Sequence, residues 1–138
     1  MKALTDAIWG KCTSATDLYA DIGGRLFKGR APQGAEFPYV VFFVVSDIPE
    51  YPGGKTIEQV MVQFSIFARE DAGHAAVENI LTHLRSLYDD CSLTITSNTL
   101  IYFIRGNFVP MHDEIDTKPG TTGVFHYMQE YDCQIVRT

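Results

Sequence analysis

The run Tyr39-Val40-Val41-Phe42-Phe43-Val44-Val45, wholly β-branched or aromatic, constrains this chain more than any other feature. Such side chains lose χ1 freedom against a helical backbone and pack well on a pleated surface. Because apolar and polar residues do not alternate, the strand needs cover on both faces, which predicts a central place in a sheet. The fold must therefore supply neighbouring strands and a layer packed upon them.

Adjacent segments offer those strands. Val60, Val62, Phe64 and Ile66 alternate with Gln59, Met61, Gln63 and Ser65, the two-residue period of a half-buried strand, and antiparallel pairing with the first run is expected. Between them, residues 46–55 hold Pro49, Pro52, Gly53 and Gly54, predicting a turn or protruding loop. Upstream, Arg25-Leu26-Phe27-Lys28 predicts a short strand, and the breakers Gly29, Pro32, Gly34 and Pro38 predict a loop after it. Downstream, Leu93, Ile95, residues 100–104, Phe108 and Val109 predict one or two strands broken at Ser97-Asn98 and Gly106-Asn107. A polar loop is expected over 110–123. Phe125, Tyr127, Tyr131, Cys133 and Ile135 then alternate with His126, Glu130, Asp132 and Gln134 in a long last strand with one wet face.

Over residues 72–88, Val77, Ile80, Leu81, Leu84, Leu87 and Tyr88 form one helical stripe, with Glu78, Asn79, Thr82, Arg85 and Ser86 opposite. Asp71 is expected to cap its start. Leu4, Ala7, Ile8 and Trp9, then Leu18, Tyr19 and Ile22, predict one interrupted helix or two short ones, with Thr13, Ser14 and Asp17 as candidate caps and Gly23-Gly24 as the stop. The order helix, strands, helix, strands predicts a single α+β domain over 1–138: an antiparallel sheet of about four or more strands with helices packed on one face.

With 138 residues, 46% of them hydrophobic and 20% charged, the chain can bury a core without metals or disulfides. The formal charge is −6 and the cations are scattered, which excludes a counterion-releasing grip on nucleic acid. Cys12, Cys91 and Cys133 are odd in number and far apart, and read as reduced core thiols rather than a disulfide framework. No apolar leader opens the chain, and no run reaches the roughly 18 residues of a membrane span. A protein made and kept in a cytoplasm is expected.

No residue pattern points to catalysis. His74 and His83 are offset by about 180° on one helix, so they cannot face a common metal. Met111-His112-Asp113-Glu114 with Asp116 lacks the position pattern and internal glycine of a calcium loop and reads as a charged exposed segment. Asp89 and Asp90 beside Cys91 disfavour its thiolate. Gly23-Gly24 and Pro52-Gly53-Gly54-Lys55 lack phosphate-loop spacing. Nothing in the sequence joins Asp6 to Asp17, or Glu58 to Glu70, as an acid and base pair. Phe42, Phe43, Phe64, Phe67, Tyr102, Phe103, Tyr127 and Tyr131 lack the flanking cations of a base-stacking sheet and are assigned to core packing. The chain is read as neither an enzyme nor a metal or cofactor binder, working by contact with other subunits.

Asp21-Ile22-Gly23-Gly24-Arg25-Leu26-Phe27, followed by Arg30-Ala31-Pro32-Gln33-Gly34-Ala35-Glu36-Phe37-Pro38-Tyr39-Val40-Val41-Phe42, resembles the N-terminal half of the tail completion, or tail terminator, proteins of long-tailed bacteriophages and prophages. In that family a helix ending at a Gly-Gly-Arg turn leads through an Ala-Pro loop to a Pro-Tyr-Val strand. The Gln63-Phe64-Ser65-Ile66-Phe67 strand, the helix from His74 to Tyr88 and the long last strand follow in the same order. The distinctive residues lie between 21 and 67, and residues 98–123 match nothing in the pattern.

The resemblance implies a virion subunit of tail or neck, assembled in the bacterial cytoplasm into a ring, a hexamer matching the tail tube. One face of the ring would cap the tube and end its polymerisation; the other would meet the neck or head-completion protein. DNA would pass through the lumen without specific binding, and no membrane is implied. Contacts are expected in two polar segments, 46–55 through Ile48, Glu50, Tyr51 and Lys55, and 110–123 through Met111, His112, Asp113 and Lys118. The alternatives are solvent loops at both places, another phage neck or tail-tube component, or an α+β ligand-binding or enzymatic domain.

Overall fold

The computed structural model describes residues 2–14, 16–54, 56–113 and 123–137. The N-terminal stripe forms two helices, α1 (Lys2–Thr13) and α2 (Asp17–Asp21), burying Leu4, Ile8, Cys12 and Leu18. Thr16 is the cap that separates them, its hydroxyl accepting from the Tyr19 N–H at 3.2 Å, rather than Thr13, Ser14 or Asp17. Gly23 and Gly24, at φ 58° and 79°, turn the chain into β1 (Leu26–Lys28).

The stripe over 72–88 becomes α3 (His74–Tyr88), with Val77, Ile80, Leu81, Leu84 and Tyr88 buried. Asp71 does not cap it. A 3-10 turn at Glu70–Ala72 intervenes, closed by the Gly73 N–H on the Glu70 carbonyl at 3.0 Å, and Gly73 occupies the cap position.

The remaining strands are β2 (Tyr39–Glu50), β3 (Ile57–Arg69), β4 (Thr94–Ile95), β5 (Asn98–Asp113) and β6 (Val124–Arg137). They form a six-stranded sheet in the order β1-β2-β3-β6-β5-β4. The sheet is mixed and not antiparallel throughout, because β1 pairs parallel to β2, Leu26 facing Val40 and Lys28 facing Phe42. The breaker-rich segment 29–38 returns the chain to the same end of the sheet, so β2 starts level with β1.

Four boundaries differ from those the sequence predicts. Residues 46–50 are strand: Ile48 pairs with Gln59, Pro49 with Glu58 and Glu50 with Ile57, which leaves only the tip of a long hairpin as turn. Pro49 is accommodated where β2 has no outer neighbour among the described residues, the setting in which a strand tolerates a missing donor. Gly106-Asn107 does not break a strand; β5 runs on through a bulge between Arg105 and Phe108. The β4–β5 turn falls at Thr96-Ser97, with Ser97 at φ 60° and Asn98 already paired to Ile95. Of the loop expected over 110–123, residues through Asp113 are strand, and 114–122 lie outside the described residues.

One series of side chains on each strand joins the core. Val60, Val62, Phe64, Ile66 and Ala68 of β3 share a cluster with Val40 and Phe42 of β2, Tyr127, Tyr131, Cys133 and Ile135 of β6, and buried residues of all three helices. Phe64 lies 4.7 Å from Tyr88 and 5.7 Å from both Phe42 and Tyr131, ring centroid to ring centroid. The Tyr88 hydroxyl donates to the Ile8 carbonyl at 2.7 Å and fastens α3 to α1.

The apolar run of β2 is covered on both faces only at Val40, Val41 and Phe42. Beyond Phe42 the strand leaves β1 and runs outward as one leg of the hairpin, so Val45 is exposed. The aromatic assignments divide in the same way. Phe42, Phe64, Phe103, Tyr127 and Tyr131 are core, whereas Phe43, Phe67 and Tyr102 are only half-buried, away from the core cluster. There Phe67 stacks against Tyr39 at 4.9 Å and His126 at 4.1 Å.

Candidate assembly surface

The two candidate contact segments occupy opposite ends of the sheet. Ile48 pairs with Gln59 on β3, which pairs with Gln134 on β6. Met111 pairs with His126 on β6, which pairs with Phe67 on β3. From Gln59 to Phe67, β3 advances roughly 26 Å at about 3.3 Å per residue. Ile48, Glu50 and Tyr51 are exposed near the hairpin tip, where Gly53 and Gly54 at φ 59° and 84° make the turn. At the other end Met111 is half-buried, and the His112 and Asp113 backbone pairs with Phe125 and Val124. Lys55 and Lys118 lie outside the described residues.

The sheet face away from the core is relatively open. A depression of about 420 Å³ is lined there by Tyr39, Val41, Phe43, Gln63, Phe67 and His126. Arg30 also lines it, so its walls combine aromatic and aliphatic side chains with Arg30, Gln63 and His126.

The residues considered for chemistry are held apart. His74 Nε2 lies 2.6 Å from the Tyr127 hydroxyl, and His83 Nδ1 pairs with Asp21, so each histidine has its own partner. Among the described residues no three metal-ligating side chains gather. Asp6 forms ion pairs with Lys2 and Lys28, whose hydrogen bonds bring its carboxyl down to about 2. Glu58 and Glu70 sit near opposite ends of β3. The Cys91 thiol is pushed up to about 11, chiefly by burial, with Asp90 and Asp89 adding smaller contributions that Lys11 opposes. Desolvation, more than its acidic neighbours, is what disfavours the thiolate.

Two polar clusters tie α3 and its C-terminal cap to β5, and neither is predicted from the sequence pattern. Gln129 is fully buried on β6. Its Oε1 accepts from Arg85 Nε at 3.0 Å and Nη2 at 2.8 Å, while its Nε2 faces the carbonyls of Gly106 at 3.3 Å, Asn107 at 3.2 Å and Glu130 at 3.0 Å. The side chain thus satisfies carbonyls that the β5 bulge takes out of the ladder. A Cβ at Gly106 would meet the Asp132 carboxylate and the Glu130 carbonyl oxygen at 3.4 Å, an ordinary van der Waals contact. Arg85, assigned to the polar side of α3, instead bends over the Phe108 ring at 4.8 Å. In the second cluster Asp89 accepts from the Tyr131 hydroxyl at 2.7 Å and forms an ion pair with Arg105. A signal for the first was present: the apolar series on β6 is interrupted at 129 by a polar residue in an inward position.

A family model described as "Tail completion protein gp17" matches residues 6–119. The solved structure described as "Virion of native gene transfer agent (GTA) particle" superposes with a TM-score of 0.74 at 11% identity, covering 96% of this chain and 94% of that one. A second solved structure superposes with a TM-score of 0.52 at 10% identity, over 96% of this chain and 94% of the other. At such identities the structural likeness shows the fold alone. No curated protein matches the chain.

The class is that of phage tail structural proteins. Within it, the chain belongs to the tail completion protein gp17 family, the family that residues 21–67 resemble. Among the described residues no helix is long and apolar enough to cross a membrane.

Proposed function

We propose that this chain, acting as one domain, forms a ring that caps the phage tail tube, ends its polymerisation and presents the interface for the neck and head. Membership of the tail completion family across residues 6–119 carries this reading. The geometry supports it. A tube grows by repeated stacking of one interface, so its terminator must match the tube at one end and differ at the other. The hairpin tip with Ile48, Glu50 and Tyr51, and the β5–β6 end where Met111 pairs with His126, are two separate ends joined by a continuous sheet.

In this reading the ring is a hexamer matching the tube, it assembles in the bacterial host cytoplasm, and its function is conformational and adhesive, without catalysis. DNA passes the lumen without specific binding, in keeping with the formal charge of −6.

Mixing the purified protein with tail-tube subunits and imaging tube lengths tests the proposal. Tubes of limited length bearing terminal density are expected. Tubes that incorporate the chain along their length identify a tube subunit, and tubes that grow unchanged refute the role. Deletion of residues 49–54 is expected to leave a folded protein that no longer caps; unaltered capping removes the hairpin tip from the contact.

A further inference from the structure

Of the large hydrophobic side chains exposed among the described residues, Trp9 lies on α1 and Tyr51 at the hairpin tip, and the aliphatic ones all lie on two strands. Val45 and Ile48 of β2 are 46% and 59% exposed, and Ile101 and Ile104 of β5 are 53% and 46% exposed. These strands are also where the sheet stops. Past Phe42, β2 has no neighbour on its outer side among the described residues, and β5 is paired on its outer side only at Asn98 and Thr99, by β4. Each open edge therefore offers unpaired backbone N–H and C=O groups together with an aliphatic pair.

Edges that must remain single are usually blunted by charges, prolines and bulges. Pro49 blunts the β2 edge only beyond Ile48, and within the stretches carrying the aliphatic pairs two bulges do the opposite. The register shifts between Val44 and Ser46 and between Leu100 and Tyr102, so the unpaired residues are Val45 and Ile101, two of the four exposed aliphatics. A bulge re-aims its side chain, and at both edges it turns an aliphatic group into solvent.

The register also sets the height of each group. Ile48 is level, through Gln59 and Gln134, with Tyr102, the neighbour of Ile101; Ser46, the neighbour of Val45, is level through Met61 and Asp132 with Ile104. Both aliphatic pairs thus lie at matching heights on opposite sides of one sheet. Rotation about an axis running close to the strands brings equal heights together without axial shift. Three antiparallel steps separate β2 from β5, so the two edges would also meet antiparallel.

We infer that the open edge of β2 in one copy docks on the open edge of β5 in the next, Val45 and Ile48 against Ile104 and Ile101, continuing the sheet around the ring. The occupant of each edge is a second copy of this chain. A two-fold β2–β2 contact would bury Val45 and Ile48 and leave Ile101 and Ile104 in water, whereas the head-to-tail contact covers all four and closes a ring. The inference rests on the ring proposed above and adds the surface that forms it.

The test is to place complementary charges across the joint, with mass read by light scattering in the presence of tail-tube subunits. Ile48→Lys and Ile101→Asp are each expected to lose the ring while keeping the wild-type urea midpoint and circular dichroism, and the doubly substituted chain is expected to recover it. Hydrogen exchange on the wild type supplies an independent measurement, with slower exchange expected for amides of residues 43–48 and 101–105 once the ring forms. Single variants that still form rings, a folded double variant that stays dissociated, or unchanged exchange at those amides would each overturn the edge contact. Rings that ignore both substitutions yet cap tubes refute the edge contact alone. Rings that depend on the edges but fail to cap refute the proposed function alone, and a wild type that forms no ring refutes both.

Discussion

Replacing Gln129 by methionine isolates the polar cluster that holds the β5 bulge. The side chains are similar in length, so packing is nearly conserved, while the acceptor for Arg85 and the donors to the bulge carbonyls are lost. A hydrogen bond to a charged group contributes about 1.5–3 kcal/mol, and a buried polar group left unpaired costs about 1–3 kcal/mol. Arg85 is half-buried and regains some hydration, which trims the first contribution. The sum is a destabilisation of about 3–4 kcal/mol. Arg85→Met should cost less, about 1–2 kcal/mol, because Gln129 keeps its bonds to the bulge. The double variant should cost less than the two singles added together, since the second change removes a group already orphaned by the first. Urea unfolding of all four chains at neutral pH gives the cycle. If Gln129→Met falls within about 1 kcal/mol of wild type, or the two changes simply add, then the bulge is held by something other than this side chain.

Three further outcomes follow from the core and its titratable groups. Leu84 is fully buried on α3, so Leu84→Ala should cost about 2–5 kcal/mol by chemical denaturation, against less than about 0.5 kcal/mol for the exposed Ser86→Ala. Burial alone would raise the Asp89 carboxyl, but hydrogen bonds from Arg105 and Tyr131 outweigh it and hold the group below its ordinary value of 3.8. A lowered folded-state value means that this stabilisation is present above the ordinary carboxylate range and is lost as the pH falls through the lowered value. Wild type should therefore lose more stability than Asp89→Asn between about pH 5 and about pH 2, and parallel pH profiles would contradict the ion pair. Burial is the leading cause that lifts the thiols of Cys12 and Cys91 to about 11 and of Cys133 to about 12. A thiol reagent near neutral pH should react far more slowly with the native chain than with the urea-unfolded one, and a rapid native phase would show one of them to be accessible.

The hairpin shows why one boundary was legible and another was not. Alternation over 59–66 marked β3 because its two sides meet different surroundings, the apolar core on one and a largely polar, partly covered face on the other. Residues 46–50 carry proline and acidic residues, so their local chemistry signals a turn, yet they pair with residues 57–61. Pairing is a property of the partner strand as well as of the segment. The same holds at Gly106-Asn107, where the dipeptide marks an irregularity correctly but cannot say whether the chain turns or bulges. Of the candidate contact residues, the exposure of Ile48, Glu50 and Tyr51 was legible because apolar residues within a polar segment are a local anomaly. The exposure of Val45, Ile101 and Ile104 was not, since each sits inside an apolar run that reads as core.

By itself the sequence determined the periodic elements: the stripe of α3, the alternation of β3 and β6, the break between α1 and α2, and, through residues 21–67, the family. These depend on side chains a few positions apart, within reach of one another along the chain. Only the tertiary structure decided the parallel pairing of β1, the order of strands, the burial of Gln129 beneath Arg85, and which aliphatic residues face water. Those features depend on groups many residues apart meeting in space, and on where the sheet runs out of neighbours, which no local pattern encodes.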